Sequence, residues 1–354
     1  MAAATTLKAA DLAANGIPDL QEDGRPDPAV IIIDLDDVEA LTEHEIRAAA
    51  AQAAAAPQPV VGHIRTASGA VPRHLLEALS CTVAPPAASH LGRSVITARE
   101  PDHELEGILR GTDASPVTAA VLDDVLRLTT RLPIRDGLQA ESLAYSMLLN
   151  GHEFASWRAD NPRRRTYVPP ADPPILLTRM GSKLFLEINR QERRNAFSRD
   201  VRDGFLDAMD LPRIDDTIDG IHISGLGPAF CSGGDLDEFG STPPELSYFV
   251  RRQQNPALRV HELAQLVQFS IHGACIGAGL EIAAFATRVH AFEDAYFQLP
   301  ELTMGLIPGA GGTVSVPRRI GRWRTAWLVL TGARLAAETA KDWGLIDVLL
   351  PTEH

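Results

Sequence analysis

Three glycine-rich segments in the second half of the chain hold residue types suited to stabilising and moving charge on a small electrophile. Gly227-Pro-Ala-Phe-Cys-Ser-Gly-Gly-Asp-Leu-Asp237 reads as a strand running into a tight loop, where Gly233 and Gly234 let backbone N–H groups approach a ligand closely. His272-Gly-Ala-Cys-Ile-Gly-Ala-Gly-Leu-Glu281 reads as a strand entering a turn that opens a helix. A helix start offers unpaired N–H donors and a positive dipole end, which suits a developing oxyanion. Tyr296-Phe-Gln-Leu-Pro-Glu301 puts a carboxylate on an apolar strand just ahead of a second Gly-rich helix start, Gly305 to Thr313. Blander roles are expected of the neighbours: Cys231 and Cys275 as small packing residues, His272 bonded to a local backbone partner.

The elements that must position these groups alternate. Ile175 to Met180 and Lys183 to Ile188, separated by Gly181-Ser182, carry a hairpin signature. Helix 198–211, strand 218–224, helix 244–265, strand 267–271 and helix 278–286 then predict an α/β layered domain from residue 175 to 354. Before it, Asn161 to Pro174 is rich in Pro and Arg and reads as a stiff, solvated linker. Residues 29–160 begin with a buried strand, Ala29 to Asp34, an Ala-rich helix from Glu43 to Ala56 and a strand from Val60 to Ile64. Apolar spacing between Val117 and Trp157 predicts two amphipathic helices broken at Pro133 and Gly137. Residues 1–28 carry several Gly and Pro and read as a flexible lead-in.

The three segments, with Asn189-Arg-Gln-Glu-Arg-Arg-Asn-Ala196 upstream and Leu330-Thr-Gly-Ala-Arg downstream to Asp347, resemble in order and spacing the enoyl-CoA hydratase/isomerase (crotonase) superfamily over residues 175–350. The resemblance implies acyl-CoA thioester chemistry on a superhelix of β-β-α turns, in homo-oligomers, trimers or hexamers. It places the two oxyanion N–H donors at Gly234 and Ala278, where Ala stands at a position often held by Gly. It places the acid–base pair of a hydratase at Glu281 and Glu301, without saying which is the acid. Isomerase-type relatives commonly keep only the carboxylate at the Glu301 position, so the pair implies hydration of a 2-enoyl-CoA. Isomerisation, acyl-CoA hydrolysis and a non-catalytic acyl-CoA-binding subunit are the alternatives. The substrate's CoA is expected along Arg194, Ala196, Ala229, Gly233, Asp235, Leu236, Asp237, Gly277, Gly279, Pro308 and Gly309, with Arg193 a further possible phosphate contact.

The resemblance stops at Pro351 to His354, short of the family's C-terminal helices. Thr129 to Trp157 and Asn161 to Arg163 resemble those helices, and Gln58 to Ala84 looks like a worn copy of the segment around His272. Residues 29–160 are therefore expected to be a degenerate crotonase-like unit without a site. A rival motif, Val30 to Val38, resembles the DxDx nucleophile strand of haloacid-dehalogenase-like phosphatases, with Asp34 and Asp36 as its acids. No matching Lys and second acidic cluster follow, which favours a solvated acidic turn.

Composition bounds these readings. The chain has 354 residues, 33 Lys and Arg against 46 Asp and Glu, and a net charge of −13. That balance disfavours nucleic acid as a partner. Lysine occurs only as Lys8, Lys183 and Lys341, so an anionic ligand must be met by Arg or backbone N–H groups. Three cysteines without metal-ligand spacing argue against a disulfide framework and a zinc module, and neither a signal peptide nor a membrane span is expected. The expectation is a cytoplasmic enzyme with no metal and no cofactor beyond the CoA of its substrate.

Overall fold

The computed structural model describes residues 5–15, 20–66, 70–164 and 167–352. A five-stranded parallel sheet occupies the N-terminal half in the order β1 (Thr5–Lys8), β2 (Ile31–Asp34), β3 (Val60–His63), β4 (Cys81–Ala84) and β5 (Val95–Thr97). The inner strands β2, β3 and β4 are buried on both faces, as parallel strands covered on both sides require, whereas the edge strand β1 exposes Thr6 and Lys8. Ile31 and Ile33 point to a core shared with α1 (Ala9–Asn15), α2 (Glu43–Ala55) and α3 (Arg73–Ala78). Val30, Ile32, Val61, Cys81, Val83 and Ile96 point the other way, into a core continuous with the second half of the chain. A capping box starts α2: Thr42 accepts from Glu45 N, and Glu45 Oε2 accepts from Thr42 N at 2.8 Å.

The flexible lead-in expected at residues 1–28 is not what the described part of that segment forms. β1 pairs in parallel register with β2 from Thr5↔Ile31 to Lys8↔Asp34, and α1 buries Ala9 and Leu12. A strand of four residues and an Ala-rich helix have too few apolar positions to show a period, and the breakers Gly16 and Pro18 fall just after them.

Four helices follow β5: α4 (Pro101–Ala114), α5 (Pro116–Thr129), α6 (Ile134–Leu149) and α7 (His152–Asp160). The expected break at Gly137 is absent, and the chain turns instead at Asn150-Gly151, giving three helices between residues 116 and 160 where two were predicted. Gly137 lies inside α6, where a Cβ would sit 3.3 Å from Val314 Cγ2, so the glycine permits a close helix approach.

In the second half, β6 (Ile175–Met180) and β7 (Lys183–Ile188) form the predicted antiparallel hairpin. β7 then runs parallel to β8 (Gly220–Gly225), β8 to β9 (Val267–Ile271), β9 to β11 (Arg288–Phe292), and β11 to β14 (Val348–Leu350). A small sheet joins β10 (Ala274–Ile276), β12 (Tyr296–Gln298) and β13 (Leu335–Ala336). The helices are α8 (Arg199–Asp210), α9 (Pro244–Gln253), α10 (Pro256–Glu262), α11 (Ala278–Ala283), α12 (Gly312–Ile320), α13 (Arg322–Thr331) and α14 (Ala337–Trp343). The single helix expected over 244–265 is split, because Pro256 opens α10 and Asn255 Oδ1 caps it by accepting from Leu258 N at 3.0 Å.

The two halves are tied across their length. α5 and α6 pack on α12, α6 on α9, and α4 on α13. Ser115 Oγ donates to Leu302 O at 2.8 Å, Thr129 Oγ1 to Thr313 O at 2.6 Å, and Trp327 Nε1 to Glu104 Oε2 at 3.0 Å. The described part of the Arg run in the expected linker is exposed and also bonds the second half. Arg163 donates to Asp237 O and Phe239 O, and Arg164 N to Asp237 Oδ1. Arg165 lies outside the described residues.

Candidate active site

Phe197 fixes the first loop: its N–H donates to Gly233 O at 2.7 Å and its carbonyl accepts from Asp235 N. Gly234 between them has no backbone hydrogen bond to another described residue and lines a cleft of about 220 Å³. Ala278, the first residue of α11, lines the same cleft, and its N–H stands at a helix start where no intrahelical acceptor exists. Asn195, fully buried, braces this region. Its Oδ1 accepts from Arg190 N at 2.9 Å, and its Nδ2 donates to Leu226 O and Ala229 O, both at 2.8 Å.

The two glutamates meet over Gly277. A Cβ on that glycine, whose φ is +49°, would sit 2.6 Å from Glu301 Oε1 and 3.9 Å from Glu281 Oε1. Both side chains are buried, Glu281 on α11 and Glu301 at the head of a 3-10 turn (Glu301–Met304) rather than on the strand expected. Their partners differ. Glu281 Oε2 accepts from Ala310 N at 2.7 Å and Gly312 N at 2.9 Å, whereas Glu301 Oε2 is buried with no hydrogen-bond partner among the described residues. Burial pushes the Glu281 carboxyl up to about 7, against the pull of those two N–H groups and of Arg251. Burial, reinforced by the charge of Glu281, holds Glu301 well above the carboxylate range. Burial thus raises both carboxyls, and of the two Glu281 has the backbone N–H groups of Ala310 and Gly312 aimed at it to favour its ionised form.

The Enoyl-CoA hydratase/isomerase family model matches residues 181–354. A 2,3-dehydroadipyl-CoA hydratase of Escherichia coli K12 is 30% identical over 179 residues, covering 51% of this chain and 70% of that protein. The chain belongs to the enoyl-CoA hydratase/isomerase family. A 1,2-epoxyphenylacetyl-CoA isomerase of Escherichia coli K12 is 36% identical over 46% of this chain and 63% of its own length. An enoyl-CoA isomerase/hydratase of Mycosarcoma maydis is 35% identical, with 64% of its length covered, so the chain spans a little under two-thirds of these two relatives. Among solved structures, an enoyl-CoA hydratase of Thermoplasma volcanium is 29% identical with a TM-score of 0.48, covering 51% of this chain and 72% of that one.

Of the residues the sequence nominated, Gly234, Asp235, Ala278, Glu281, Glu301 and Gly309 line the cleft of this family member. Asp235 and Asp237 are held by Arg193 Nη2 at 2.8 and 3.0 Å, which fixes the loop and engages Arg193. Arg194 is exposed with φ +51°, Ala196 follows on the same turn, and Leu236 is exposed beside them. Ala229 accepts from Asn195, Gly279 abuts Cys231, and Pro308 abuts Gly312, so these three shape the walls from outside the cleft. His272 Nε2 bonds Gly227 O at 2.8 Å, and burial pushes the Cys231 thiol up to about 12, matching the bland roles expected of both.

Sequence reasoning missed Glu141 and Tyr145 on α6. Burial pushes the Tyr145 hydroxyl up to about 12, its ring lies against Gly309, and the Arg251 guanidinium stacks on it at 3.6 Å. A signal was present: Leu138, Glu141, Tyr145 and Leu148 share one helical face, and a Glu inside an apolar stripe is a buried carboxylate. In the N-terminal half, Asp34 and Asp36 both pair with Arg65, and Asp36 Oδ1 accepts from Arg65 N and Thr66 N. These bonds tie the acidic turn together. Among the described residues, no group of three or more His, Cys, Asp or Glu is placed to hold a metal ion, and no helix is long and apolar enough to cross a membrane.

Proposed function

We propose that the protein adds water across the double bond of a 2-enoyl-CoA thioester. The observation that carries this reading is the inequality of the two facing carboxyls: Glu281 receives two N–H donors, and Glu301 Oε2 receives none. Glu281 acts as the carboxylate that accepts a proton from water while the water oxygen bonds to C3. The electron pair of the double bond moves through the thioester to its carbonyl oxygen, where the N–H groups of Gly234 and Ala278 meet the enolate; one such donor is typically worth about 3 kcal/mol. Glu301 then supplies its proton to C2, and a proton returned from Glu281 to Glu301 restores the starting state. Water, the thioester and these groups balance the reaction with no further cofactor.

The first test offers the purified chain short, medium, long and aromatic enoyl-CoA thioesters and weighs the products. Hydration adds one water, isomerisation conserves mass, and hydrolysis releases the CoA thiol. Glu281→Gln and Glu301→Gln are each expected to lower kcat by roughly 10²- to 10⁴-fold with KM little changed. A mass-conserving product, or no turnover of any thioester, overturns hydration.

A further inference from the structure

The segment from Gly309 to Thr313 has four successive N–H groups with assigned partners, and the partners alternate. Ala310 and Gly312 donate to Glu281 Oε2 at 2.7 and 2.9 Å. Gly311 and Thr313 donate to Glu141 Oε1 and Oε2 at 2.7 and 3.0 Å, and Thr313 Oγ1 adds a third bond to Glu141 Oε2 at 2.7 Å. The segment is thus held between two buried carboxylates, one on α11 and one on α6. With glycines at 309, 311 and 312 it has few side chains with which to fix its own torsions. α12 has no side-chain cap of its own, so Glu141 satisfies two of its otherwise orphaned donors. One turn along α6, Tyr145 packs against Gly309, whose carbonyl accepts from Arg251. Both ends of the segment are therefore set from α6.

We propose that Glu141 is a positioning residue of the active site, supplied by the N-terminal half, that holds the 310–313 amides in the register in which two of them aim at Glu281. The proposal rests on the reading of Glu281 as the catalytic carboxylate, and it makes α6 part of the site's machinery rather than a cover over it. The ionisable groups around Glu141 are Glu281 from α11, Glu301 from its 3-10 turn and Tyr145 from α6, with Arg251 from α9 acting on Glu281 and Tyr145. Burial and the charge of Glu281 push Glu141 up to about 8 against the pull of the bonds it accepts from Gly311 and Thr313, and Glu141→Gln replaces one acceptor oxygen by an NH2 donor that cannot hold them.

The test uses the full chain and Glu141→Gln, with Thr313→Val and Thr313→Ser as a second pair that keeps the Glu141 carboxylate. Carbon-13 NMR of labelled Glu side chains, assigned with Glu281→Gln, reads the Glu281 titration directly. Mis-aimed amides lose their hold on the ionised form, so Glu141→Gln is expected to raise the Glu281 pKa by about half a unit or more. It is also expected to lower kcat by roughly 10- to 100-fold with KM within about twofold. Thr313→Val is expected to show part of both effects, and Thr313→Ser to restore them. A folded Glu141→Gln protein with a lower melting temperature but unchanged Glu281 titration and kcat would reduce Glu141 to a helix cap and overturn the proposal. If Glu141→Gln does not fold, the same measurements on the Thr313 pair decide. Failure of the hydratase reading shows separately, as a wild-type chain that hydrates nothing while its Glu281 titration remains measurable.

Discussion

Glu281 and Glu301 carry the same side chain, both reach over Gly277 into one cleft, and their surroundings treat them differently. Two amides aimed at Glu281 oppose its desolvation, and none reaches Glu301 Oε2. Activity by the proposed route needs Glu281 ionised and Glu301 protonated. The pH–rate profile is therefore expected to be bell-shaped, with its acid limb near the Glu281 value of about 7 and its alkaline limb above it. Stability should run the other way. The folded protein retains carboxyl protons that an unfolded chain releases near 4.5, so stability present below that pH is lost as pH rises through the raised values of Glu281, Glu141 and Glu301. Glu301→Gln removes one of these groups, so its melting temperature should fall less than that of the wild type between about pH 5 and pH 8. An equal or steeper fall would contradict the raised Glu301 value.

Short helices and tight loops hold the site, and glycines set how closely they approach. The clearest case away from the chemistry is Gly111 on α4, where a Cβ would overlap the Leu330 carbonyl oxygen of α13. Gly111→Ala gains about 1 kcal/mol of helix propensity, yet it must force the two helices apart. Overpacking of that kind typically costs about 1–3 kcal/mol and more where backbone is struck, so a net loss in the urea midpoint is expected. A more stable variant would show that α4 and α13 do not sit this close. The hairpin β6–β7, with its Gly181-Ser182 turn, was legible because its signals are local. The split between α9 and α10, the run of α6 through Gly137 and the pairing of β1 were not. The last two depend on partners distant in sequence, Val314 for Gly137 and Ile31 to Asp34 for β1, whereas the split carried a local signal in Asn255-Pro256.

Across the whole molecule, one apolar core runs from Val30 to Ile346, and α4, α5 and α6 cover faces of α12 and α13 that the second half leaves open. Residues 175–354 expressed alone are expected to aggregate, because those faces would be exposed and Glu141 would be lost from the Gly309–Thr313 segment. Co-expression of residues 1–174 should restore solubility, and a soluble, active fragment without them would refute the dependence. The sequence by itself pointed to the family and nominated the loops at Gly234 and Ala278 and the glutamates Glu281 and Glu301 that line one cleft. These are short-range patterns, in which residue type and spacing along one loop already fix what the backbone can offer. Only the tertiary structure decided which glutamate receives amide donors. Only it brought in Glu141, 170 residues before the Gly311 amide it accepts from, because that contact follows from how two separately coded halves pack.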